Sequence, residues 1–269
     1  MPDHDHRPTP DHADPFRDPE VISLLDQLVE ESAEEAINLG SYSDEEIAAL
    51  VFEGEDRPVP LPWLDTLDSS ERELAVAMGM RSLTVRGLVE ALPLDDVQGT
   101  IYQSSPPEVW VLLGLRRRAP SIVVAERATT LGTDWIVLYQ HGPDCWLAEF
   151  ITAQGFHEFV LAARQDTVLA LMSWAGVDPE APVPDLDVRL PVEQVQGQDP
   201  LLEPVGQALV AVTLSRTEPA SSEQTRFFGL YSGPGGTYLS RQERDGLIRF
   251  RGEGFDPVME FVGTLLRES

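Results

Sequence analysis

The chain has 269 residues with 46 Asp or Glu against 19 Lys or Arg, a formal charge of −27, and every basic residue is Arg. Such acidity argues against general nucleic-acid binding and against anionic membrane surfaces, both of which depend on Lys and Arg. No run approaches the roughly 20 apolar residues of a membrane span, and the single Cys145 rules out an internal disulfide.

In chain order, residues 1–17 are rich in Asp, His and Pro with little to bury, and read as a disordered tail. The segment lacks the basic start and apolar run of a signal peptide, so the expected compartment is cytoplasmic. His4, His6 and His12 are solvated tail side chains on this reading, not a ligand set. Residues 18–66 form an acidic helical extension. Val21, Leu24, Leu25 and Leu28 recur at helical spacing, and Ser43-Asp44-Glu45-Glu46 resembles a capping box ahead of Ile47, Leu50 and Val51.

Residues 67–176 read as a first half made of helices, a sheet and a closing helix. Ser69 is placed to cap a helix carrying Leu74, Ala77 and Met78, and a second helical piece, Arg81 to Leu88, contains Gly87 as a C-cap. A third helix starts after Ser105-Pro106-Pro107. It is apolar almost all round up to Arg116-Arg117-Arg118, whose cations suit a helix C-terminus. Strand-like runs follow at 121–128, 134–141, 145–152 and 155–162, then a helix over 164–175. Residues 177–200 hold five Pro and read as a linker to a second half at 201–269.

The same order of parts then returns. Leu138-Tyr139 entering a turn and Trp146-Leu147 leaving it line up without a gap on Leu230-Tyr231 and Tyr238-Leu239. Gly155 and Phe159 answer Gly246 and Phe250, and the helix positions Val168, Leu171, Met172 and Ala175 answer Val258, Phe261, Val262 and Leu265. The fold class is therefore α+β: an antiparallel sheet built from two quasi-repeated β-β-β-β-α halves, with N-terminal helices packed on it. Pairing the halves edge to edge removes two exposed strand edges, which favours one continuous sheet.

Chemistry-bearing patterns are sparse, and no enzyme activity, cofactor or metal is expected. His141 and Cys145 flank a turn, yet no acid stands in an orienting position, and Cys145 reads as a small buried hydrophobe. Ser232-Gly233-Pro234-Gly235-Gly236 links two strands and lacks the Lys-Ser/Thr of a phosphate loop. An alternative reading places a winged-helix DNA reader at residues 69–92, with Arg81 and Arg86 on its recognition helix and Arg116, Arg117 and Arg118 on phosphates.

The helices carrying Glu71-Arg72-Glu73-Leu74-Ala75 and Leu83-Thr84-Val85-Arg86-Gly87-Leu88, the helix near Trp110 and the ending Phe228 to Leu239 with Asp245-Gly246-Leu247 together resemble the EspG family. These are cytosolic chaperones of type VII secretion in actinobacteria, and the resemblance covers about residues 60–267. It implies a quasi-twofold α+β fold that binds the helical tip of a secreted protein pair and keeps it soluble before export. The expected partner is thus a helical protein client or secretion component, without membrane insertion. No client-contacting residue carries over by motif. Exposure alone places the client on hairpin loops at Ala128–Asp134 and Arg216–Arg226, through Thr130, Leu131, Thr133, Glu218, Ser221, Ser222 and Gln224.

Overall fold

The structure is a computed structural model that describes residues 15–50, 60–93, 100–104, 106–129, 132–196, 199–217, 226–243 and 245–267. Helix α1 (Pro19–Glu31) begins with Pro at its first position, where the missing N–H costs nothing, and Asp18 caps it by accepting from the Glu20 N–H at 2.8 Å. Strand β1 (Ile37–Ser43) follows, kinked by a bulge at Gly40, whose φ of 104° suits glycine. Helix α2 (Asp44–Leu50) keeps half of the expected capping box, the Glu46 carboxylate accepting from the Ser43 N–H at 3.2 Å.

Helix α3 (Ser69–Val85) is one unbroken helix, so the two separate pieces expected around Arg81 are corrected to a single rod. Its cap is Asp68, not Ser69: the Asp68 carboxylate accepts from Ser70 and Glu71 while Glu71 accepts from the Asp68 N–H. It stops where the Leu88 N–H reaches back to the Leu83 carbonyl at 2.9 Å around Gly87, whose φ is 71°. A ribbon of β2 (Val89–Pro93) and β3 (Thr100–Ser104) leads to α4 (Pro107–Arg118), which is buried from Val109 to Arg116.

Next come β4 (Ile122–Thr129), β5 (Gly132–Gln140), β6 (Cys145–Ile151), β7 (Phe156–Ala163) and α5 (Arg164–Trp174), close to the expected bounds. The presumed linker contains β8 (Asp187–Leu190) and α6 (Val192–Gln196), and a short α7 (Glu203–Gly206) follows. The chain closes with β9 (Val210–Thr217), β10 (Arg226–Gly233), β11 (Gly236–Gln242), β12 (Ile248–Glu253) and α8 (Phe255–Leu265).

Among the described residues ten strands form one sheet in the order β1-β7-β6-β5-β4-β9-β10-β11-β12-β8, and every neighbouring pair is antiparallel. The halves join through β4 and β9, where Ala125 faces Leu214, its own counterpart in the repeat. A local twofold axis passes between them. Each half adds one outer strand, β1 or β8, to the four-strand unit, and that strand pairs beside the last one, β7 or β12.

The register corrects the gapless alignment of the two halves. Leu138 pairs with Ala148, but Leu230 pairs with Leu239, so the second hairpin is one residue shorter. Tyr238-Leu239 corresponds to Leu147-Ala148, because a one-residue slip would turn every side chain to the opposite face.

Side chains alternate across the sheet and divide the core. On one face α5 and α8 lie together over Val123, Ala125, Ile136, Leu138, Trp146, Val212, Leu214 and Leu230. On the other face, α4 and α1 cover Tyr139, Leu147, Phe159 and Leu161 of the first half, whereas the second half has only a small cap over Tyr238 and Phe250. Phe16 joins the first cluster and meets Trp110 edge-on at 5.6 Å. The tail expected for residues 1–17 is therefore pinned at its end; residues 1–14, with His4, His6 and His12, lie outside the described residues.

Candidate partner-binding surface

The uneven covering leaves a strip of sheet open. On the face away from α5 and α8, strand alternation presents Glu126 and Ala128 of β4, Ala211 and Thr213 of β9, and Phe227 of β10, all exposed. Glu126 pairs across to Thr213, which pairs to the buried Gly229, so an acidic and a hydroxyl side chain stand next to each other on this face. The floor ends at Gly229, which is buried under the Tyr231 and Ser240 side chains: a Cβ there would lie 2.4 Å from Ser240 Oγ and 2.7 Å from the Tyr231 hydroxyl. Phe227, 61 % exposed, stands at one end of the floor.

At the other end the floor runs into a cavity of about 760 Å³. Ala211, Tyr231 and Phe250 form its sheet side, Leu202 and Val205 its cap side, and Asp199 and Glu203 add carboxylates to the lining. Tyr231 and Phe250 rings lie 6.1 Å apart. By register, their twofold counterparts are Tyr139 and Phe159, which are sealed under α4. The same position is thus covered by the long helix α4 in one half and by the short α7 cap, with a cavity beside it, in the other.

What seals the first half is a buried charged cluster. His157 Nδ1 lies 2.7 Å from Glu149 Oε1 and its Nε2 lies 2.8 Å from Asp44 Oδ1, all three side chains being fully buried. Both ring nitrogens face carboxylates, so both carry hydrogen in the imidazolium form. Burial opposes charge on His157, but the bonds to Asp44 and Glu149 outweigh it and raise its pKa. Burial likewise opposes charge on Glu149. Arg116 at 3.3 Å, the His157 ring and the Tyr139 hydroxyl, which donates at 2.7 Å, together lower its pKa below the usual carboxylate range. The other Asp44 oxygen accepts from the Trp63 and Leu64 N–H groups at 2.8 and 2.9 Å. Two acids and two bases balance in charge, and they tie α2, α4, β5, β6 and β7 into one body.

This cluster was missed in the sequence, although a His and a Glu inside otherwise apolar strand runs are a readable sign of buried pairing. Among the described residues no group of three His, Cys, Asp or Glu is placed to hold a metal.

The strand ends that lead into the two hairpins expected to hold a client, Thr129 and Thr217, lie at opposite ends of the central strand pair, since Ile122 pairs with Thr217 and Arg127 with Val212. Thr133 sits on β5 opposite Ala128, while Thr130, Leu131, Glu218, Ser221, Ser222 and Gln224 lie outside the described residues. The five arginines do not share one surface. Arg116 is buried on Glu149, with its guanidinium 6.0 Å from the Phe159 ring centre. Arg86 pairs with Glu46 at 2.7 Å, Arg117 lies over Phe16, Arg118 donates to the Phe16 carbonyl, and Arg81 is exposed on α3. The His141 N–H donates to the Cys145 carbonyl, whereas the Cys145 thiol lies 3.2 Å from Ser32 Oγ, and burial raises its pKa. A raised thiol pKa disfavours the thiolate that a nucleophile needs.

No protein-family model matches the chain, and no curated protein sequence matches it. Among solved structures, the fold is similar to that of the Mycobacterium tuberculosis type VII secretion system chaperone EspG5, solved in complex with the PE25-PPE41 dimer. The likeness has a TM-score of 0.53 at 14% identity and covers 86% of this chain and 95% of that one. Among the described residues no helix is long and apolar enough to cross a membrane.

Proposed function

We propose that this protein is a non-enzymatic chaperone-like binder of a helical protein client, which it holds in the cytosol before export by a type VII secretion-like route. The observation that carries this reading is the open floor and its cavity. The long helix α4 covers the sheet of the first half, whereas the short α7 cap covers only part of the equivalent sheet in the second and leaves a cavity beside it, so an apolar helical element of a client is the shape that fits there. The fold shared with the secretion chaperone, whose structure holds a protein dimer, supports the same function.

The test is capture by the tagged full-length chain from its own cells, with crosslinking and mass spectrometry, beside a Thr213→Arg variant. Thr213 points out of the floor, so the Arg stands in the trough without entering the core. Stoichiometric recovery of helical secreted proteins, falling at least about tenfold with Thr213→Arg, is the expected result, because the long Arg side chain, paired across the strands with Glu126, fills the trough; overpacking of this kind costs about 1–3 kcal/mol. Recovery that the variant leaves unchanged would move the client off this surface. Absence of any helical protein would end the client reading.

A further inference from the structure

Helix α3 is apolar on two opposite sides and covered on one. Gly79 and Leu83 are buried on the side toward α2, where a Gly79 Cβ would lie 2.3 Å from the Glu45 carbonyl oxygen. On the outer side Leu74 is 66 % exposed, Met78 53 % and Val85 89 %. With Glu71 and Arg81 they occupy positions 71, 74, 78, 81 and 85. Alternating steps of three and four put these positions on one stripe of the helix, the spacing of the seam in a two-helix coiled coil.

We infer that this seam pairs with α3 of a second copy of the chain, antiparallel and about a twofold axis. In that arrangement Leu74 packs on Met78 of the second copy, and Glu71 meets Arg81 of the second copy. Each contact recurs by symmetry, as an isologous interface requires. Seam and charges are therefore self-complementary: the acid stands in the first turn of the helix and the base three turns on, and antiparallel pairing also opposes the two helix dipoles. The floor and cavity of the second half are not part of this contact, so the inference does not depend on the client reading.

Two consequences distinguish this pairing. One helix face covers less than the roughly 800 Å² per partner of a standard interface, which puts this contact among the small, transient ones. Each copy carries −27, and that repulsion is screened over about 8 Å at physiological salt. Association therefore strengthens as salt rises, although it includes ion pairs.

The measurement is sedimentation of the full chain from about 1 to 200 μM at low and high salt. A monomer–dimer equilibrium that tightens with salt, and that M78E weakens at least tenfold with an unchanged melting temperature, is the expected result. R81E and E71R place like charges opposite each other in their own homodimers but opposite charges in a mixed pair. Each alone should be monomeric, and their mixture should dimerise. Because Glu71 also serves the α3 cap, melting curves establish that E71R is folded. A wild-type chain that stays monomeric at high salt, or a dimer that M78E leaves intact, overturns the proposal; a mixture that stays monomeric overturns the antiparallel register.

Discussion

Glu149→Gln should destabilise the protein by about 3–5 kcal/mol, because removing one partner of a buried ion pair leaves the others charged and uncompensated. Arg116 and the His157 imidazolium would keep their charges beside an amide, while Asp44 remains the one acid in contact with the ring. For a chain of this size that loss lowers the melting temperature by roughly 10 °C. The pH profile carries the sharper signature. His157 is raised in the folded state, so its contribution is full below the unfolded histidine value of about 6.5 and disappears as pH climbs through the folded one. Glu149 is lowered, so its contribution is full above about 4.5 and fades as pH falls through its folded value. Stability should peak between those limits and fall on both sides. His157→Gln should flatten the alkaline limb. Melting curves from pH 4 to 9 would decide it, and an alkaline limb of unchanged slope in His157→Gln would remove His157 as its source.

Gly79→Ala should be destabilising, against the general rule that Ala in a helix interior is better than Gly by about 1 kcal/mol. The added Cβ would lie 2.3 Å from the Glu45 carbonyl oxygen and 2.8 Å from the Glu46 nitrogen, both backbone atoms at the start of α2. Helices α2 and α3 would have to separate, at a cost of about 1–3 kcal/mol. Their separation also strains the bonds that join them, from Ser82 Oγ to Glu46 at 2.6 Å and from Arg86 to Glu46 at 2.7 Å. Gly263→Ala in α8 is the matched control, since its Cβ would meet nothing within 4 Å and should stabilise by about 0.5–1 kcal/mol. Urea midpoints moving the same way in both variants would contradict the close approach of α2 and α3.

The contrast between the well-read and the misread elements has a physical basis. Strands β4 to β7 and the helix after them announce themselves because each is long and apolar and ends at a turn residue. Strand β8 has four residues, Asp187–Leu190, set among prolines. Its pairing comes from β12 across the sheet and not from its own pattern. Strand β1 is interrupted by Gly40 and lies between two helices whose periodicity dominates the local signal. The expected boundary between the helix carrying Met78 and the piece starting at Arg81 falls at Gly79, and this glycine serves helix packing and not termination. The open floor had no sequence signal at all. Glu126, Ala211 and Thr213 are unremarkable as letters and become a surface because register sets them on one face that no helix among the described residues covers.

The local twofold between Ala125 and Leu214 has a consequence for what the molecule can recognise. Two identical subunits related by such an axis must present the same groups on both sides, so a single lopsided ligand finds either two competing places or none. Joining the halves in one chain lifts that obligation. Tyr139, Glu149, His157 and Phe159 on one side became Tyr231, Ser240, Ile248 and Phe250 on the other. The first set is locked by charge under its own helix, while part of the second borders open space. A scaffold symmetric in backbone can thus be directional in chemistry, with one anchored side and one receptive side.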